Sequence, residues 1–279
     1  MQLLTQVLAL IFVISTMLAV ALQLTPRDIT AALHDRPWLG RALLANAVLL
    51  PALAYAMTRL LPMDASLAAA LLILATAPGG PVLIKLVTLA RGDHALAVGL
   101  LVCLLLAGVL LQPVILPQLL EGIRISSMTI VLTQFTSVLA PLLVGLGLRA
   151  AWPRLAARLQ GPIQRLSTLC MLLICVSLPL AHWQELQGIA GSGAFLVAAL
   201  FLLGGSCAGW LLGGPNPAAR RVLALSCAQP NMAAAMVIST QNFSDPRVVL
   251  MLLVIMLTSL PILIPLCLHF ARQQSVASP

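Results

Sequence analysis

Residues 71–93 read LLILATAPGGPVLIKLVTLARGD. Pro78, Gly79, Gly80 and Pro81 stand inside an apolar run long enough to cross a bilayer. Proline lacks an amide hydrogen and clashes with the preceding turn, while glycine frees the backbone. Four such residues in succession break a helix rather than kink it. Irregular backbone at membrane depth survives only where protein encloses it or where it lines a cavity. A second stretch, residues 220–242, reads RRVLALSCAQPNMAAAMVISTQN, with Pro230 between Gln229 and Asn231. A single proline is the weaker signal, since kinked spans are common, and the pattern alone leaves two unrelated kinks open. Placement favours a pair. Each break falls in the span before the last of its half-chain, and the two spans run in opposite directions. Interrupted segments at corresponding places in two halves point to the binding site of a secondary transporter.

The rest of the chain is of the same kind. Of its 279 residues 61% are hydrophobic and 8% charged, where soluble domains run at about 45–50% and about 25%. Such a chain keeps no water-facing surface, which excludes a soluble enzyme, a nucleic-acid binder and a disordered protein. Nine apolar segments fall near 3–23, 38–61, 66–90, 94–120, 125–148, 163–183, 191–213, 216–242 and 246–271. The expected fold is therefore all-α: one polytopic membrane domain over 1–279, with approximate halves 1–122 and 123–279. Ala19-Val20-Ala21 resembles a signal-peptide cleavage site. The segment before it has no basic start and is too long for such a peptide's apolar region, so a retained helix is expected. The six cysteines, Cys103, Cys170, Cys175, Cys207, Cys227 and Cys267, lie inside apolar runs and form no CxxC pair. They read as small buried hydrophobes, with no metal ligand or cofactor implied.

The formal charge of +8 is explained by topology. Alternate loops and the C-terminal end hold Arg27, Arg36, Arg41, Arg91, Arg149, Arg154, Arg158, Arg165, Arg220, Arg221 and Arg272, while the other side holds Arg59, Arg124 and Arg247. The positive-inside rule places the N-terminus outside and the C-terminus in the cytoplasm. Residues 149–165, RAAWPRLAARLQGPIQR, admit two readings: an interfacial segment on anionic lipid, or a solvated loop, which the composition favours. The seven acids, Asp28, Asp35, Asp64, Asp93, Glu121, Glu185 and Asp245, all sit in loops or at helix ends. The four histidines, His34, His94, His182 and His269, lie near the interfaces. With no intramembrane Asp, Glu or His and no nucleophile–base pair, a membrane enzyme is not expected.

The stretch LQLTPRDITAALHDRPWLGRALLANAVLLPALAYAM, followed by APGGPVLIKLVTLARGDHALAVGL, resembles the bile acid:sodium symporter superfamily, whose PGG break is followed by a helix ending in L-A-[RK]-G-[DN]. RRVLALSCAQPNMAAA resembles that family's second break, E-x-G-x-Q-N followed by small residues. The likeness implies two broken helices that cross in a core domain (66–120 and 216–271), set against a panel domain (3–61 and 125–213). It also implies that the first of the ten spans common in bacterial members is missing here. An arsenite-type permease, related in fold, has a cysteine in its first crossover; none lies near Pro78.

The resemblance also marks a departure. Carried over by position, the family's polar pair after PGG falls on Leu83 and Ile84, and the hydroxyls of the next helix fall on Leu101, Val102, Leu104 and Leu105. The shared glutamate falls on Ser226 and the glutamine on Pro230, while Asn46 and Asn231 keep an amide. Hard cations take oxygen ligands, and leucine offers none, so the sodium sites are expected to be lost. Lys85, the one lysine, lies in the second half of the first broken segment. An intramembrane ionisable residue marks a functional site by default, and its ammonium could stand in for sodium and neutralise an anion. Alternatively it snorkels toward Arg91, six residues and about 9 Å away. Asn231, Asn46, Thr76, Ser226 and Gln229 are the other candidate substrate contacts, with Pro78, Gly79, Gly80, Pro81 and Pro230 forming the crossover. Each polar residue could instead bond a neighbouring helix, the role expected of Thr133, Gln134 and Thr136.

The function these readings imply is secondary transport of a small organic anion across a bacterial-type inner membrane, without sodium or linked to protons. A sodium symporter using backbone ligands and a non-transporting sensor are the rivals. Lipid is the one macroscopic partner implied.

Overall fold

A computed structural model describes residues 2–24, 35–120 and 126–277; Arg27, Asp28, His34, Glu121 and Arg124 lie outside the described residues. Among the described residues every regular element is helical: α1 (Gln2–Ala21), α2 (Arg36–Leu60), α3 (Ala65–Ala75), α4 (Leu83–Leu89), α5 (His94–Leu119), α6 (Ser127–Ala151), α7 (Pro153–Ala181), α8 (Trp183–Gly191), α9 (Ala194–Leu212), α10 (Pro217–Ala228), α11 (Met232–Asn242) and α12 (Pro246–Ala277). Among the described residues eight helical segments are long and apolar enough to cross a membrane. The third expected segment is not among them: it is divided into α3, of 11 residues, and α4, of 7 residues. The eighth is divided into α10 and α11 at Gln229–Asn231. The protein is a polytopic all-helical membrane protein.

Local chemistry sets the ends. Asp64 starts α3 by accepting from the Ser66 N–H, and Asp93 starts α5 by accepting from the Leu96 N–H. Asn216 caps α10 ahead of Pro217, the first helical position. Two helices carry a single wide turn in mid-length, Ala45–Leu49 in α2 and Phe135–Leu139 in α6, each a π-helical turn. Such bulges recur at functional sites, and nothing in the sequence announces them.

One boundary differs from expectation by ten residues. The segment expected near 163–183 begins at Pro153, and α6 runs on to Ala151, so Trp152 is the one residue between two helices. Pro153 is well placed at a first helical turn, and the Ala, Leu, Arg and Gln that follow are strong helix formers. Their polarity, not their propensity, made 149–165 read as loop. The short α8 in the next connection was likewise not foreseen.

In a bilayer, helices associate by close packing more than by exclusion of apolar surface from water. Gly205 and Gly209 of α9, with Gly213 just after it, form such a contact stripe. A Cβ on Gly205 would stand 2.7 Å from the Cys227 carbonyl oxygen, and one on Gly213 would stand 2.5 Å from the Arg220 Cα. α1 lies against α6 and α7: Thr16 and Ser167 share a hydrogen bond of 2.6 Å, and a Cβ on Gly145 would meet that of Ala21 at 2.5 Å. Residues 221–240, which hold the break between α10 and α11, are all buried, which is the enclosure that broken backbone needs.

Candidate functional site: the crossing of the two breaks

α3 stops at Thr76 because the next amides turn away from the helix. The Ala77 N–H reaches back only to Leu74 O, and Gly79 takes φ +85°, a left-handed conformation open to glycine. The chain then turns through Pro81 and Val82 into α4, whose first amide bonds Gly80 O. On the other strand α10 ends at Ala228, and Asn231 restarts the helix, its Oδ1 accepting from the Ala234 N–H at 3.0 Å.

The two breaks touch. The Asn231 N–H donates to the Ala77 carbonyl at 2.6 Å. A Cβ on Gly80 would overlap the carbonyl oxygens of Gln229 and Pro230, and one on Gly108 of α5 would lie 3.2 Å from the Pro78 ring. The backbone at Ala77 and Gly80 thus meets the backbone at Gln229, Pro230 and Asn231.

Polar side chains approach the crossing from two sides. On one, Asn46, in the wide turn of α2, donates from Nδ2 to Ser226 Oγ at 3.1 Å and to Ala42 O at 3.0 Å. Asn46 is fully buried, and its Oδ1 meets no hydrogen-bond partner. On the other side, Gln112 Nε2 donates to Ile73 O at 3.0 Å and to Thr76 Oγ1 at 3.2 Å. Gln134, just before the wide turn of α6, donates to Gln112 Oε1. Because Gln112 must donate to a carbonyl, its oxygen faces Gln134, and the chain has one polarity. Gln112 was not singled out in the sequence, although an amide inside a 26-residue apolar helix was the available signal. Thr133 does join helices, donating to Gln241 of α11 at 2.9 Å, whereas Thr136 bonds only within its own helix.

Thr76, Ser226, Gln229 and Asn231 are all buried at the breaks. Lys85 is not among them. It lies on the exposed face of the seven-residue α4, with Val82, Thr88 and Leu89. Leu104 and Leu105 pack on the break itself: a Cβ on Gly79 would stand 2.9 Å from the Leu105 amide nitrogen and 3.1 Å from the Leu104 Cβ. Among the described residues no group of three or more His, Cys, Asp or Glu is placed to hold a metal ion. What the crossing offers a ligand is amides, hydroxyls and backbone groups.

Residues 9–187 match the model of the Sodium Bile acid symporter family. The chain is 24% identical over 238 residues to the "Probable sodium/metabolite cotransporter BASS2, chloroplastic" of Oryza sativa subsp. japonica, covering 83% of this chain and 56% of the relative. It is 25% identical over 239 residues to the "Probable sodium/metabolite cotransporter BASS1, chloroplastic" of Arabidopsis thaliana, covering 83% of this chain and 58% of that relative. The chain therefore spans a little over half the length of the curated relatives it matches. The family match runs through the first break, and the second break crosses it in space. The chain belongs to the sodium bile acid symporter family.

Proposed function

We propose that the chain is a secondary transporter of a small organic anion, working by alternating access. A core of residues 66–120 and 216–271 would move against a panel of residues 3–61 and 125–213, with the N-terminus outside and the C-terminus in the cytoplasm of a bacterial-type inner membrane. The observation that carries this reading is the direct contact of the two breaks, Asn231 N–H to Ala77 carbonyl, at the midpoint of two oppositely running segments. Asn231, Thr76, Asn46, Ser226 and Gln229 would face the substrate. The half-helix starts at Leu83 and Met232 would turn their positive ends toward its negative charge. Lys85, on the exposed face of α4, would supply the cation that a sodium ion supplies elsewhere. Transport would then be sodium-independent or proton-linked.

A second reading is favoured by one atom. Asn46 Oδ1 is a buried oxygen without a partner beside Ser226, and the relatives are named sodium/metabolite cotransporters. Sodium coupling through that oxygen and backbone carbonyls is the rival. Uptake of a panel of organic anions into proteoliposomes, in sodium and in choline, separates the two. The first reading expects equal uptake in both buffers and its loss in Lys85→Ala. Uptake that requires sodium and survives Lys85→Ala supports the second. Ligands that raise thermal stability by mass action without any uptake would mark a non-transporting sensor and overturn both.

A further inference from the structure

The corner between α6 and α7 carries a surface that the transport reading does not use. Arg154, Arg158 and Arg165 lie in one helix, α7, which removes the solvated-loop description of this stretch. At about 100° per residue the three fall within about 40° of one another around the axis. All three are exposed. Ala156, Ser167 and Cys170, on the opposite side, are buried against the rest of the protein. The basic face therefore looks away from the body of the molecule.

Length places that face at the membrane surface. A helix of 29 residues is about 43 Å long at 1.5 Å per residue, and the hydrocarbon core is about 30 Å thick. The surplus of about 13 Å holds Arg154 and Arg158, and Arg165 reaches the same level along its own stem. Trp152, at the corner, is 63% exposed, the placement of an interfacial anchor. Leu155 and Leu166 are exposed on the flank of the basic face, where acyl chains would meet them.

Charge names the occupant. No Asp or Glu occurs between residues 126 and 184, so this face has no carboxylate of its own element to answer it. Helix starts favour acids, yet the first turn of α7 holds none and has Arg154 instead. A guanidinium fork fits a phosphate bidentately. We propose that the Arg154–Arg158–Arg165 face of α7 binds the phosphate headgroups of anionic phospholipid, with Trp152 and the flanking leucines seated at the acyl boundary.

The test uses the purified full chain in neutral detergent, with phosphatidylglycerol or phosphatidylcholine added and the apparent melting temperature read against lipid concentration. The expected result is a larger rise with phosphatidylglycerol, and none with soluble glycerol 3-phosphate at the same concentration. Each arginine replaced by glutamine should weaken the phosphatidylglycerol response about fivefold, equivalent to about 1 kcal/mol per basic residue. The triple variant R154Q/R158Q/R165Q should respond alike to both lipids while melting as wild type does in phosphatidylcholine. If the triple variant does not fold, R158Q alone gives the same comparison at one-third strength. Equal responses of the wild type to the two lipids, or a phosphatidylglycerol response kept in the variants, overturns the proposal. A rise with glycerol 3-phosphate alone assigns the face to a soluble phosphate ester and overturns the lipid assignment.

Discussion

At Gly80 two backbones meet with no room for a side chain. The atoms a Cβ would strike are the carbonyl oxygens of Gln229 and Pro230, both fixed by the start of α11 and by the Asn231–Ala77 bond. A clash with backbone is not relieved by a rotamer change, so Gly80→Ala must move one break against the other. Overpacked cores lose about 1–3 kcal/mol, and this contact belongs at or above the upper end. Gly147 of α6 is the control, since a Cβ there meets nothing within 4 Å, and alanine in mid-helix gains about 0.5–1 kcal/mol over glycine. Thermal unfolding in detergent should show opposite signs: Gly80→Ala melting lower than wild type, Gly147→Ala slightly higher. A wild-type melting curve for Gly80→Ala would mean that the breaks do not touch. The residues at this point were legible because proline and glycine act on their own backbone, whatever surrounds them. Gln112 was not, because its role depends on Ile73 O, 39 residues earlier, which the break leaves without its helical amide partner.

Whole elements behaved in the same divided way. α5 and α12 could be placed from hydropathy to within a few residues at their starts, whereas the wide turns at Ala45–Leu49 and Phe135–Leu139 leave no mark in hydropathy. The connections between elements also carry energy. At one end of the molecule Arg247, in the first turn of α12, bonds Asp64 at 2.9 Å and Asp245 at 3.0 Å, and Ser66 of α3 donates to Asp245. Burial pushes the Asp245 carboxyl up, but the Ser66 hydroxyl, the Arg247 N–H and its guanidinium outweigh that and hold it below its ordinary value. The unfolded chain therefore takes up the proton first. The stabilisation is complete above the ordinary carboxylate pKa of about 3.9 and is lost as pH falls through the lowered value. Between about pH 5 and pH 3 the wild type should lose more melting temperature than Asp245→Asn, and the two curves should converge at the acid end. Parallel curves would show that the Ser66–Asp245–Arg247 link contributes nothing.

Over the whole molecule, side-chain contacts tie particular helix ends together. Arg41 at the start of α2 meets Gly214 after α9; Arg220 of α10 donates to Trp210 O at 3.0 Å; Trp210 stacks on Phe270 of α12 at 5.1 Å. These residues lie together at one end. Arg247 and Asp64 share the other. In the proposed topology the first end would gather Arg36, Arg41, Arg91, Arg149, Arg154, Arg158, Arg165, Arg220, Arg221 and Arg272, against Arg59 and Arg247 at the second. Lys/Arg excess in short loops marks the cytoplasmic side, and loops here are short, so the bias acts at full strength. Green fluorescent protein fused after Pro279 should fluoresce, and alkaline phosphatase at the same point should be inactive in intact cells. A cysteine at Asp64, introduced with the six native cysteines replaced, should react with a membrane-impermeant maleimide added outside. Labelling at 64 only after the membrane is opened would invert the molecule. Phosphatidylglycerol at the Arg154–Arg158–Arg165 face would then have to come from the outer leaflet. The orientation and the lipid proposal can thus fail separately, because one is read from which side labels and the other from which lipid stabilises.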